Sequence, residues 1–216
     1  MEGKRVQLAG LALAAAALLL LALAYARDPL WGAGLSAAML AELVTGREAA
    51  IPLALATGVP PAWVAATSIA QNLAVAALVV PVVGNAMGTQ SGSFAARFMR
   101  GLHDSAVQRL PRGRSPWALF AFMLVPFIAN GPVLAGIIGS LAGLPYRQMV
   151  PAIVAAVVIT ATAWTYAYHS LTTALANIDD RLALVPAVLA GAVALVWMAA
   201  ATRRALQPAP RRDPER

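Results

Sequence analysis

Six apolar stretches fill most of this chain, at 6–26, 33–58, 62–84, 117–144, 147–176 and 183–202. A helix needs ~20 consecutive apolar residues to cross a bilayer, so each stretch is long enough to enter a membrane. A soluble domain has no use for runs of this kind. With 60% hydrophobic and 12% charged residues, the composition fits a helical bundle bathed in lipid and leaves no room for a separate globular domain. The predicted fold class is therefore an all-α polytopic membrane protein, 1–202, with a basic, Pro-rich tail at 203–216 that has too little apolar surface to fold.

Charge placement constrains the path of the chain. The net charge of +7 gathers at Lys4 and Arg5, in the stretch 85–116, and in the tail. Basic segments beside apolar spans are retained on the cytoplasmic side, so an inner-membrane protein with both termini cytoplasmic is expected, and no nucleic-acid partner. Residues 6–26 end in Ala22-Leu23-Ala24-Tyr25-Ala26 ahead of Arg27, which resembles a signal-peptide cleavage site. The length of the apolar run favours a retained anchor helix.

Three stretches separate each basic region from the next, and three single crossings would leave 85–116 outside. One stretch in each trio is therefore expected to enter the membrane and return. The two candidates carry breakers: Gly46 and Pro52 with Glu42, Arg47 and Glu48 in 33–58, and Pro126, Asn130, Gly131 and Pro132 in 117–144. Gly and Pro interrupt helices, and irregular backbone at membrane depth must be buried or line a wet cavity. Both read as re-entrant hairpins of two half-helices of roughly 11–12 residues, a length short of a full crossing. About four transmembrane helices then remain (6–26, 62–84, 147–176, 183–202), and the two opposed re-entrant hairpins form an inverted repeat. The basic stretch 85–116 carries apolar residues at helical spacing, as a surface helix on anionic headgroups would.

Intramembrane charge needs a reason, because a charged side chain near the bilayer centre costs ~2.5–3.5 kcal/mol on insertion scales. Glu42, Arg47 and Glu48 are thus the first candidates. Arg47 and Glu48 can neutralise each other and pin the hairpin, leaving Glu42 to exchange protons; alternatively the group holds a charged headgroup. Asn130 and Gly131 open the second half of the other hairpin, where unpaired N–H groups either bind an anion or are capped by Asn130. Gln71 and Asn72 are amides inside an apolar span, more useful as interhelical bonds than as substrate contacts. Gly136, Gly139, Ser140 and Gly143 suit close helix packing. Trp164, Tyr166 and Tyr168, near the end of the fifth stretch, read as an interfacial belt. No catalytic motif or metal-ligand spacing is present, cysteine is absent, and neither enzyme activity nor a cofactor is expected.

Two stretches resemble known signatures. Gly-Arg-Glu-Ala-Ala-Ile-Pro-Leu-Ala-Leu-Ala-Thr-Gly-Val-Pro-Pro at 46–61, with Gln71 and Asn72, is similar to the first signature of the small multidrug export family. Val-Pro-Phe-Ile-Ala-Asn-Gly-Pro-Val-Leu-Ala-Gly at 125–136, with Leu-Ala-Gly-Leu-Pro-Tyr-Arg at 141–147, is similar to its second. The family's acid–base pair precedes Gly-Ala-Ile-Pro, so Glu42 or Glu48 supplies the acid here. The arrangement also resembles the DedA family, whose opposed re-entrant hairpins are associated with translocation of lipid carriers. The resemblance implies a transporter for a small or amphiphilic substrate, and a titrating Glu42 would couple it to protons. The alternatives are a flippase for a polyprenyl-phosphate carrier and a non-transporting scaffold. Two short halves are thin for a complete pathway, so a homodimer is expected.

Overall fold

A computed structural model describes residues 2–88, 115–124, 131–142 and 144–179, with isolated positions between 181 and 199. All regular structure among them is helical: α1 (Glu2–Arg27), α2 (Pro29–Thr45), α3 (Arg47–Ala56), α4 (Pro61–Gly88), α5 (Pro116–Leu124), α6 (Pro132–Leu141) and α7 (Tyr146–Ala176). Among the described residues, three helices are long and apolar enough to cross a membrane: Arg5–Arg27, Pro61–Val82 and Tyr146–Ala176. The chain is a multi-pass helical membrane protein. The fourth expected span, 183–202, and the surface helix expected within 85–116 lie mostly outside the described residues, and the tail lies wholly outside them.

Local chemistry sets the first boundaries. The Asp28 carboxylate accepts the Leu30 N–H at 2.8 Å and caps α2, and Pro29 at the first helical position has no N–H to waste. The stretch expected at 33–58 thus begins earlier, at Pro29. Its break falls at Gly46 alone, where φ is 87°, a left-handed value that glycine adopts without penalty. Pro52 does not break the chain but sits inside α3, where its missing N–H removes one helical bond. The two halves are consequently unequal, 17 and 10 residues, rather than 11–12 each.

α2 and α3 fold back on each other as an antiparallel hairpin, with Gly34 near the start of α2 against Thr57 just after α3. Leu35 and Ala38 of α2, Ala50, Ile51 and Ala54 of α3, and Val64 of α4 form one buried cluster, with Trp164 and Tyr168 of α7 packed on it. α5 and α6 pair likewise, Leu119 beside Gly139. They form a second cluster with Ala76 and Val80 of α4 and Met149, Ile153, Ala156 and Val157 of α7. Moving along α4 from Val64 to Val80 passes from the first cluster to the second, and moving along α7 does the reverse. The two long helices therefore run antiparallel. α3 and α6 each touch both of them.

The seams are built from small residues. Ala24, Ala54, Ala135, Ala156 and Ala161 are fully buried, Gly136 packs on Val80, and Gly139 packs on Met149. In lipid the tails are as apolar as leucine, so helices associate through close van der Waals packing rather than hydrophobic burial. The expected packing role of Gly136 and Gly139 is what the structure shows. Leucines at 8, 11, 18, 19 and 23 of α1 stay exposed on the outer surface, as lipid-facing residues should.

Candidate functional site

The last turn of α2 brings Glu42 against α4. Its Oε1 accepts hydrogen bonds from Ser68 Oγ at 2.7 Å and Asn72 Nδ2 at 2.6 Å. Ser68 and Asn72 stand four apart on α4 and so share a face. The Asn72 amide also bonds the Ser68 carbonyl at 2.9 Å, which fixes its orientation. Gln71 reaches α2 from the same face and donates Nε2 to the Met39 carbonyl at 2.8 Å. Gln71 and Asn72 thus bond across helices as expected, and Asn72 touches the site by holding the carboxylate.

Arg47 opens α3 and is 8% exposed. Its guanidinium donates to the Thr160 hydroxyl on α7, which in turn donates to the Ala156 carbonyl at 2.6 Å. The anticipated Arg47–Glu48 pair is not formed. Consecutive residues on a helix point about 100° apart, so Arg47 meets α7 while Glu48 curls beside Gly46. Glu48 makes no hydrogen bond or ion pair among the described residues. Arg47 and Glu48 both lie within electrostatic reach of Glu42.

A cleft of about 220 Å³ opens beside Glu42, lined by Leu35, Ala38 and Met39 of α2, Ala50 and Ile51 of α3, and Val64, Thr67 and Ser68 of α4. Its wall is almost wholly apolar, with the carboxylate and two hydroxyls as its polar points. Among the described residues, two buried polar side-chain atoms have no hydrogen-bond partner, Gln71 Oε1 and Thr165 Oγ1, and neither residue lines this cleft. No group of three or more His, Cys, Asp or Glu that could hold a metal occurs among the described residues.

Of the residues singled out from sequence, Glu42, Arg47, Glu48 and Asn72 therefore meet around one hairpin tip. Asn130 lies outside the described residues. Gly131 begins α6 with no side-chain cap and is exposed; it is not part of the Glu42 cluster. Ser68 and Thr160 are the residues that sequence reasoning passed over. Ser68 was signalled by its four-residue spacing from Asn72; Thr160 had no local signal. Trp164 and Tyr168 stack at 5.5 Å and pack half-buried on the first cluster, an inward role beyond the expected interfacial belt.

The family described as "Putative small multi-drug export protein" matches residues 47–163, more than half of the chain. The chain belongs to this family. The matched span runs from Arg47 to three residues past Thr160, and so contains both ends of that hydrogen bond along with Ser68 and Asn72. It bears out the first resemblance and lends nothing to the second, to DedA proteins. No curated protein and no solved structure matches the chain.

Proposed function

We propose that this protein exports a small or amphiphilic molecule across the inner membrane, driven by protons that Glu42 takes up and releases. The observation that carries this reading is the fixed Glu42 carboxylate, held through one oxygen by Ser68 and Asn72 on the wall of an apolar cleft. A carboxylate is the one group in that cleft able to exchange a proton, and an intramembrane carboxylate is a functional group by default. No covalent chemistry is involved in this reading.

The same reading makes the α2–α3 and α5–α6 hairpins re-entrant and the two halves an inverted repeat, with both termini cytoplasmic. Support comes from packing. Each hairpin precedes a long helix and packs on that helix's N-terminal half, and the two long helices run antiparallel. Met123 and Ala135 of the second hairpin share a cluster with Ala76 and Ala156, one turn from Asn72 and Thr160. Met123 and Ala135 thus stand close to the level of the first tip, as expected for a site at a repeat interface.

A second reading follows from Arg47, whose guanidinium has a neutral partner in Thr160. Its charge can hold a phosphate-bearing lipid headgroup. Proteoliposomes distinguish the two. Proton-gradient-driven efflux of a dye cation, lost in Glu42→Gln and retained in Arg47→Lys, supports the exporter. Movement of a short-chain prenyl phosphate, lost in Arg47→Lys with or without a gradient, replaces it with the lipid carrier.

A further inference from the structure

We propose that the Arg47 guanidinium is a latch with two seats: Thr160 when Glu42 carries a proton, and the Glu42 carboxylate when it does not. The inference starts from a mismatch of partners. Arg47 is 8% exposed, and among the described residues its guanidinium bonds one group, the neutral Thr160 hydroxyl. A guanidinium has five N–H donors, so most of its capacity is unspent. Both bonds to Glu42 fall on Oε1, and Oε2 accepts none among the described residues. A buried cation with spare donors and a carboxylate with a spare oxygen complement each other.

Reach follows from the backbone. The Glu42 carbonyl accepts the Gly46 N–H at 3.1 Å, which closes one helical turn, and Arg47 follows one peptide later. A turn rises about 5.4 Å and a peptide adds about 3.8 Å, so the two Cα atoms stand within roughly 10 Å. An arginine and a glutamate close such a gap from its two ends, and their charges already lie within electrostatic reach. The two seats also stand level. Ala76 of α4 and Ala156 of α7 share a cluster, and the helices run antiparallel. Asn72, one turn before Ala76, and Thr160, one turn after Ala156, are therefore on the same side of it. The guanidinium can change partner by turning its own side chain, with no helix displaced.

The charge on Glu42 chooses the seat. Helices α1, α3 and α4 pack against α2. From α3, Arg47 and Glu48 are within electrostatic reach of Glu42. From α4, Glu42 meets the neutral Ser68 and Asn72. From α1, Tyr25 and Arg27 meet Ser36 and Trp31 at the other end of α2. Glu48 lies beside Gly46, within reach of Tyr168 on α7. Ionised Glu42 offers the guanidinium a full opposite charge, and arginine–carboxylate pairs are the strong ones. With a proton on Oε2 that charge is gone, and the guanidinium goes to Thr160. The tie between the first hairpin and α7 is thus made with the proton bound and undone with the proton released.

The latch rests on the reading of Glu42 as the group that takes up protons, yet its test requires no transport. The detergent-purified chain and Thr160→Val are melted side by side in acid, neutral and alkaline buffers. In acid, Thr160→Val should lower Tm by about 2–4 °C or more, the shift that one lost buried bond produces in a chain of this size. In alkaline buffer the loss should fall to roughly half of that or less, because Arg47 has left Thr160. In a Glu42→Gln background, which cannot ionise, Thr160→Val should cost the same in every buffer. An equal cost in every buffer without the Glu42 change overturns the latch, as does a pH dependence that survives Glu42→Gln. Should Glu42→Gln fail to fold, Glu48→Gln decides instead: a persisting pH dependence upholds the latch, and its loss overturns it. A flat profile beside Glu42-dependent efflux sinks only the latch, and a pH-dependent tie beside efflux retained in Glu42→Gln sinks only the exporter reading.

Discussion

The Arg47 guanidinium and the Thr160 hydroxyl, 113 positions apart in the chain, are joined by a buried hydrogen bond that ties the tip of the first hairpin to the middle of α7. Thr160→Val keeps the shape and removes the acceptor. An unmet buried donor costs about 1–3 kcal/mol, so the variant should lose that much in denaturant unfolding from micelles, while Thr160→Ser stays near wild type. Equal stability of the two variants would mean that the bond contributes nothing.

Ser68 and Asn72 act on one oxygen of Glu42, so their effects should depend on that carboxylate. Ser68→Ala is expected to cost about 1–2 kcal/mol in the wild type. In a Glu42→Leu background the same change should cost much less. The double-mutant cycle measures the difference, and simple additivity would deny the contact.

Gly46 and Gly58 both have positive φ, 87° and 77°. Alanine in a left-handed conformation costs roughly 1–2 kcal/mol. At Gly58 nothing lies near the added Cβ, whereas at Gly46 it would meet the Glu48 carboxylate at 2.7 Å. Gly46→Ala should therefore be the more damaging of the two in a thermal melt, and the reverse order would contradict this geometry.

Gly136 leaves no room for a Cβ because Val80 fills the space. Gly136→Ala should destabilise the bundle by about 1–3 kcal/mol, the range for overpacking. Val80→Ala in the same molecule should restore part of the loss. Absence of rescue would place the strain elsewhere.

A re-entrant α2–α3 hairpin leaves Arg27 and Gly58 on one side of the membrane. The chain has no cysteine of its own, so single cysteines report cleanly. Cysteines at 27 and 58 should react with an impermeant maleimide from the same face, and one at Gly113 from the opposite face. Labelling of 27 and 58 from opposite faces would make α2 and α3 a crossing.

The sequence carried the position of the first tip well, because Glu42, Gly46, Arg47 and Glu48 interrupt an apolar run where charge is costly. It misled at Pro52, which lies inside α3 and forfeits a helical bond without ending the helix. It misled again at Arg47 and Glu48, whose adjacency in the chain suggests a pair that helical geometry turns apart. Ser68 was readable from its spacing to Asn72. Thr160 was not, because a contact spanning 113 residues leaves no periodic trace in either segment. The pairing of α5 with α6 was signalled by the flanking basic regions together with breakers, since the stretch 117–144 holds no charged residue of its own.

Gly46 is the sole residue between α2 and α3, and a joint of one residue has only two soft torsions. The same short helix therefore carries both Arg47, which meets Thr160, and Ala50 and Ile51, which wall the cleft beside Glu42. The position of the guanidinium and the shape of that wall hang from one glycine.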